Sequence, residues 1–177
     1  MAVNRPAIEA NYAGYQLSPA DKEFLSTLPG VTDVLVLAHD WCGDVIANLP
    51  LFAKIEAETG KLKLYIVPKD PDNVDIGRLY PHADGDVHIP IYVFFDAQGR
   101  EKGHFIERTA ELTKEVGRIV AEFWAQHPHF EGKGQEFSSL TPEVKTALLE
   151  TLTKERQKVR ELEKQTLLAM LKATLLP

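Results

Sequence analysis

The run VTDVLVLAHD, residues 31–40, constrains the fold more than any other stretch. It is continuously apolar and rich in Val. A strand with one wet face alternates apolar and polar residues, so this one reads as a strand buried on both faces. From Cys42 to about Glu58, Val45, Ile46, Leu49, Phe52, Ala53 and Ile55 recur at helical spacing, with Pro50 inside and Gly60 as the stop. A doubly buried strand that feeds an amphipathic helix calls for a sheet with helices on both faces.

The rest of the chain extends that pattern. KLKLYIVPKD reads as a second strand, and DNVDIGRLYPHADGD as a short helix and a loop. VHIPIYVFFDAQGREKGHFIER reads as a hairpin turning around Ala97-Gln98-Gly99. AELTKEVGRIVAEFWAQH is a helix with Leu112, Val116, Ile119, Val120, Phe123 and Trp124 on one face. Ahead of the first strand, SPADKEFLSTLPG is a helix capped by Ser18 with Pro19 at its first position, and the first 17 residues carry no clear period. Strand–helix–strand units pair in parallel and the hairpin adds antiparallel strands. The expected fold is therefore an α/β three-layer sandwich with a mixed central sheet of four or five strands. The expected organisation is a domain over 1–126 with its core in 31–126, a Gly- and Ser-bearing linker over 127–140, and a helical extension over 141–177 capped by Thr141.

Composition removes several function classes. There are 20 basic against 26 acidic residues, a net charge of −6, where a nucleic-acid binder needs a basic face. No apolar run reaches the roughly 20 residues of a membrane span. The start MAVNRPAIEANYAGY lacks the pattern of a secretory signal, so the expected location is cytoplasmic. One cysteine excludes an internal disulfide and a Cys-rich zinc site. No Gly-rich phosphate loop is present, and the six histidines show no helical ligand spacing. His82, His127 and His129 read as surface residues. No metal and no cofactor are expected.

Four features resemble the thioredoxin superfamily over about Val31 to Trp124. Trp41-Cys42-Gly43 lies at a strand-to-helix junction, Pro50 follows eight residues after the cysteine, Ile89-Pro90 opens the hairpin, and Gly99 lies in its turn. The resemblance implies a thioredoxin-like sandwich, with Pro90 as a cis-proline facing Cys42. It points to bacterial thioredoxin-like proteins with a Trp-Cys-Gly-Asp turn and no second cysteine. Val45 stands where the resolving cysteine would be, Asp44 replaces the usual proline, and Val36 replaces a buried carboxylate that serves proton transfer in the family.

The resemblance names Cys42 as the catalytic candidate, with Trp41, Gly43, Asp44, Ile89 and Pro90 as the substrate-binding set. With one sulfur, a mixed disulfide must wait for an outside thiol. The expected activity is thus monothiol exchange with protein or small-molecule disulfides and thiols. The alternative is a thioredoxin-fold binding or assembly module that has no catalysis. A helix N-terminus favours thiolate, whereas a carboxylate at position 44 opposes it. We expect Cys42 to be partly exposed and to alkylate faster than a thiol of pKa ~8.5. His39 and His88 are either activating imidazoles or solvated loop residues. Asp44 is either a stabilising helix-end carboxylate or a selector of substrate.

The extension has an apolar stripe of Val144, Leu148, Leu152, Val159, Leu162, Leu167, Leu171 and Leu175. It either folds back on its own domain or pairs with a second copy, and its length favours a homodimer contact. Its mixed charges do not suit a membrane surface.

Overall fold

The structure, a computed structural model, describes residues 4–176. Its elements are α1 (Arg5–Gly14), α2 (Pro19–Ser26), β1 (Thr32–Ala38), α3 (Gly43–Thr59), β2 (Leu62–Pro68), α4 (Val74–Arg78), β3 (Ile91–Phe95), β4 (Glu101–Ile106), α5 (Ala110–Gln126), a 3-10 turn (Phe137–Ser139), α6 (Pro142–Lys158) and α7 (Arg160–Leu175). The sheet order is β2-β1-β3-β4. β1 and β2 are parallel, with Thr32 opposite Leu62, and β1–β3 and β3–β4 are antiparallel. This is the mixed sheet of a thioredoxin-like α/β fold. No helix among the described residues is long and apolar enough to cross a membrane.

Two compact units divide the chain: residues up to Arg108 with those from Lys164 on, and residues Thr109–Glu163. The first contains the sheet. Strand periodicity sends Val34, Val36 and Ala38 of β1 and Tyr92 and Phe94 of β3 to one face. There they meet Val45, Leu49, Phe52 and Ile55 of α3 and Leu167, Leu168, Leu171 and Leu175 of α7. Leu37, Ile91 and Val93 point the other way, toward Ile76 of α4 and toward Tyr80 and Val87. Helices thus lie on both faces, which explains why β1 is apolar from Val34 to Ala38. β2 is an edge strand, and Tyr65 and Ile66 are each 44% exposed there.

The aperiodic N-terminus contains helix α1, which the sequence pattern does not announce. Its attachments are polar: Asn4 Nδ2 donates to Asp40 O and Asn11 Nδ2 to Ile46 O, each at 2.8 Å. No residue of α1 is fully buried. Tyr15, just after it, is buried, and its hydroxyl donates to Ala47 O at 3.1 Å.

The extension is two helices. From residue 164 on, its leucines complete the core of the first unit, so the fold-back alternative describes what α7 does. A dimer through this extension would have to use other side chains, such as the exposed Leu149 and Leu162. In the second unit, Phe123 and Trp124 of α5 pack with Val144 and Leu148 of α6. The expected linker contributes to that core, since Leu140 is buried and Phe130 packs against the cluster.

Candidate functional site

Cys42 is the N-cap residue of α3, with β1 ending at Ala38 before it. The order of β1, a short turn and α3 therefore puts the thiol at the C-terminal end of a central strand, where ligands bind in open α/β sheets. The Ile89–Pro90 peptide is cis, as the resemblance implies. The Cys42 thiol donates to the Ile89 carbonyl at 3.2 Å, so residues 47 positions apart meet here.

Cys42 is half-buried. Burial pushes its thiol up from the ordinary value. Backbone amides of Val45 and Asp44 at the helix end pull it down, and the Asp44 and Glu107 carboxylates add to the rise. The balance is upward, against the expectation of an activated thiol. The helix end does act as expected, but desolvation of a thiolate in this half-buried position outweighs it. The hydrogen bond to Ile89 O favours the same outcome, because only the protonated thiol can donate it.

Trp41 is 61% exposed and stacks on His39, with ring centroids 5.3 Å apart. Gly43 is exposed, and nothing lies within 4 Å of where its Cβ would be, so the backbone beside Cys42 is open to approach. His39 Nε2 accepts from the Asp70 amide at 3.1 Å, while the His39 carbonyl accepts from the Cys42 amide. His88 lies between two carboxylates, with Nε2 2.9 Å from Asp84 Oδ2 and Nδ1 3.4 Å from Glu107 Oε2. Among the described residues, neither imidazole hydrogen-bonds the thiol. Both rings have partners of their own, so neither is a freely solvated loop residue.

Asp44 is buried and paired with Arg108, Nη2 to Oδ2 at 2.9 Å. Arg108 also pairs with Glu107. Glu107 adopts a left-handed backbone at φ 59, costly for a residue with a side chain. It is fixed from two sides: its amide donates to Pro90 O, and its carbonyl accepts from Asn48 Nδ2, both at 2.8 Å. Asn48 is fully buried in α3, and its Oδ1 accepts from the Tyr92 hydroxyl at 2.6 Å. A polar chain thus runs from β3 through α3 to the residue that follows β4.

Glu107, Arg108, Asn48 and Tyr92 are absent from the residues singled out by sequence. Asn48 left a signal, being an amide on the apolar side of a helix; Glu107 and Arg108 left none, since charged residues after a hairpin are ordinary. His82, read as a surface residue, stacks on His88 at 4.3 Å. His82, His88 and Glu107 form a cluster able to hold a metal ion.

Val45 is fully buried in the core beside Val36, also fully buried. Both the resolving sulfur and its proton partner of the dithiol enzymes are thus replaced by packed hydrocarbon.

Two solved structures share the fold. One is a protein of unknown function from Pseudomonas aeruginosa, 17% identical, TM-score 0.58, covering 90% of this chain and 87% of that one. The other is an HIV epitope-scaffold, 18% identical, TM-score 0.56, covering 98% of this chain and 87% of that one. No curated protein matches the chain. The thioredoxin family model matches residues 1–123. With that match over most of its length, and with its single cysteine at the start of α3 beside a cis-proline, the chain belongs to the thioredoxin family.

Proposed function

We propose that this protein takes part in thiol–disulfide exchange: Cys42 forms a slow, durable mixed disulfide with one half of a disulfide, borne by an extended peptide or a small molecule, and an outside thiol resolves it. The observation that carries the reading is the Cys42 thiol donating to Ile89 O beside cis-Pro90. An extended peptide pairing with the backbone at Ile89 competes for that carbonyl and releases the thiol. The thiolate then attacks one sulfur of R–S–S–R′. The Cys42–S–S–R bond forms and R′–S⁻ leaves. A small thiolate later attacks the R sulfur, and Cys42 departs as thiolate.

The raised thiol sets the tempo. Less thiolate is present near neutrality, so capture is slow. A thiol of higher pKa is also a poorer leaving group, so the mixed disulfide persists. A packed Val45 leaves the chain no sulfur of its own to cut it short.

The test is intact mass spectrometry after exposure to oxidised glutathione across a pH series. One adduct per chain should form, more slowly than on a free-cysteine peptide, and it should leave on addition of a dithiol. Cys42→Ser should form none. Absence of an adduct even at alkaline pH would overturn the reading.

The non-catalytic binding module keeps support from the same burial and the same two carboxylates, which hold the thiol protonated. It predicts that Cys42→Ser binds an extended peptide as well as the parent does, with no disulfide formed by either.

A further inference from the structure

We propose that His82, His88 and Glu107 bind one divalent cation of the zinc class on the loop that leads into Pro90. His82 and His88 lie between α4 and β3, and Glu107 directly follows β4. Each offers one ligand atom, and the three atoms lie within 4.8 Å of one another. All three residues are partly exposed, which leaves an entry path.

His88 is central to the site. It has a carboxylate at each nitrogen, Asp84 Oδ2 at 2.9 Å from Nε2 and Glu107 Oε2 at 3.4 Å from Nδ1. With Asp84 supporting the ring from the Nε2 side, Nδ1 and the Glu107 carboxylate face each other and can ligate one cation together.

The surroundings suit a metal ion in that place. Asp84 Oδ2 lies 3.2 Å from Nδ1 of His82 as well, so one carboxylate steadies both stacked rings. A carboxylate behind the imidazole is the usual outer support of a ligating histidine. His82 Nδ1 is shielded from solvent, and its contact with Asp84 lacks the alignment of a hydrogen bond. Arg108 engages Oε1 of Glu107, which leaves Oε2 toward His88. Two imidazoles and one carboxylate are a zinc-class donor set with one position open, whereas magnesium and calcium call for oxygen donors. Metal–ligand bonds of ~2.0–2.2 Å place neighbouring ligand atoms roughly 3.3 Å apart. The His88–Glu107 separation already matches, and His82 need only close in from its loop.

Calorimetric titration of the full chain with zinc chloride near neutral pH, alongside visible absorption with cobalt(II), tests the site. One equivalent should bind, and cobalt should give a tetrahedral band. Affinity should fall at least tenfold in His82→Ala, His88→Ala and Glu107→Gln, and about 10–100-fold in the supporting variant Asp84→Asn. His104→Ala and His129→Ala should bind as the parent does. A thermal melt without metal shows which variants remain folded, and Glu107→Gln and Asp84→Asn give the answer if a histidine variant does not. No uptake by the parent would overturn the proposal. One-equivalent uptake that survives in folded Glu107→Gln and His88→Ala, or that is lost in His129→Ala, would overturn it as well.

Discussion

Asp44 has two tasks at the residue scale. Its carboxylate opposes the thiolate of Cys42, and it holds Arg108 at 2.9 Å. Asp44→Asn removes the repelling charge and leaves the cation in place. The midpoint of the Cys42 alkylation profile should therefore move to lower pH, measured with iodoacetamide across a pH series. An unchanged midpoint would leave burial and the Glu107 carboxylate responsible for the raised thiol. The linkage has a sign for stability too. The folded-state thiol lies above its unfolded value, so its contribution is complete below the unfolded pKa. It is lost as pH rises through the folded one.

At the scale of elements, α7 is fastened to α2 through a buried ion pair. Lys164 Nζ lies 2.9 Å from Asp21 Oδ2 and donates to Gln16 O at 3.0 Å. Asp21 also completes the capping box of α2 with Ser18. Burial alone would raise the Asp21 carboxyl, but the hydrogen bonds from Lys164 and Ser18 outweigh it and the net shift is downward. A depressed folded-state pKa contributes stability above the unfolded value of ~3.9. That contribution disappears as pH falls through the folded value. Asp21→Asn takes the carboxylate from a buried ammonium and should cost about 3–5 kcal/mol near neutrality. Asp21→Asn with Lys164→Met should recover part of the loss, because the buried charge is gone. Denaturant melts of the two variants give the comparison. Equal losses would mean that the capping box, not the ion pair, carries the effect.

For the molecule as a whole, α7 from Lys164 on is a structural part of the first unit. Leu171 is fully buried among side chains of that unit's core. Leu171→Ala should therefore cost about 2–5 kcal/mol, as for other Leu→Ala changes in packed cores. Leu149→Ala, at a site 46% exposed, should cost far less. Light scattering of the parent and of Leu149→Ala then asks whether the extension also holds two copies together. A Leu171→Ala variant that melts with the parent would mean that α7 can leave the core intact.

The sequence by itself determined what local patterns encode. Period and breakers fixed the order of strands and helices from β1 to α5. The apolar run of β1 implied a sheet covered on both faces, and the resemblance carried by Trp41-Cys42-Gly43 and Ile89-Pro90 located the thiol and the cis Ile89–Pro90 peptide. It could not determine α1, whose attachments to the turn before α3 and to α3 include the side chains of Asn4 and Asn11 and the contact of Tyr12 with Lys54, without an apolar period. It left open where the extension goes, since a leucine stripe looks the same against its own core or a twin. Only the tertiary structure decided the character of Cys42. Glu107 lies 65 positions away in the chain and reaches the sulfur's surroundings because β4 returns beside β3 and Asn48 holds its backbone. His82, His88 and Glu107 converge for the same reason. Local spacing records which residues share a face, whereas charge and desolvation depend on distance in space, and that is set when the chain closes on itself.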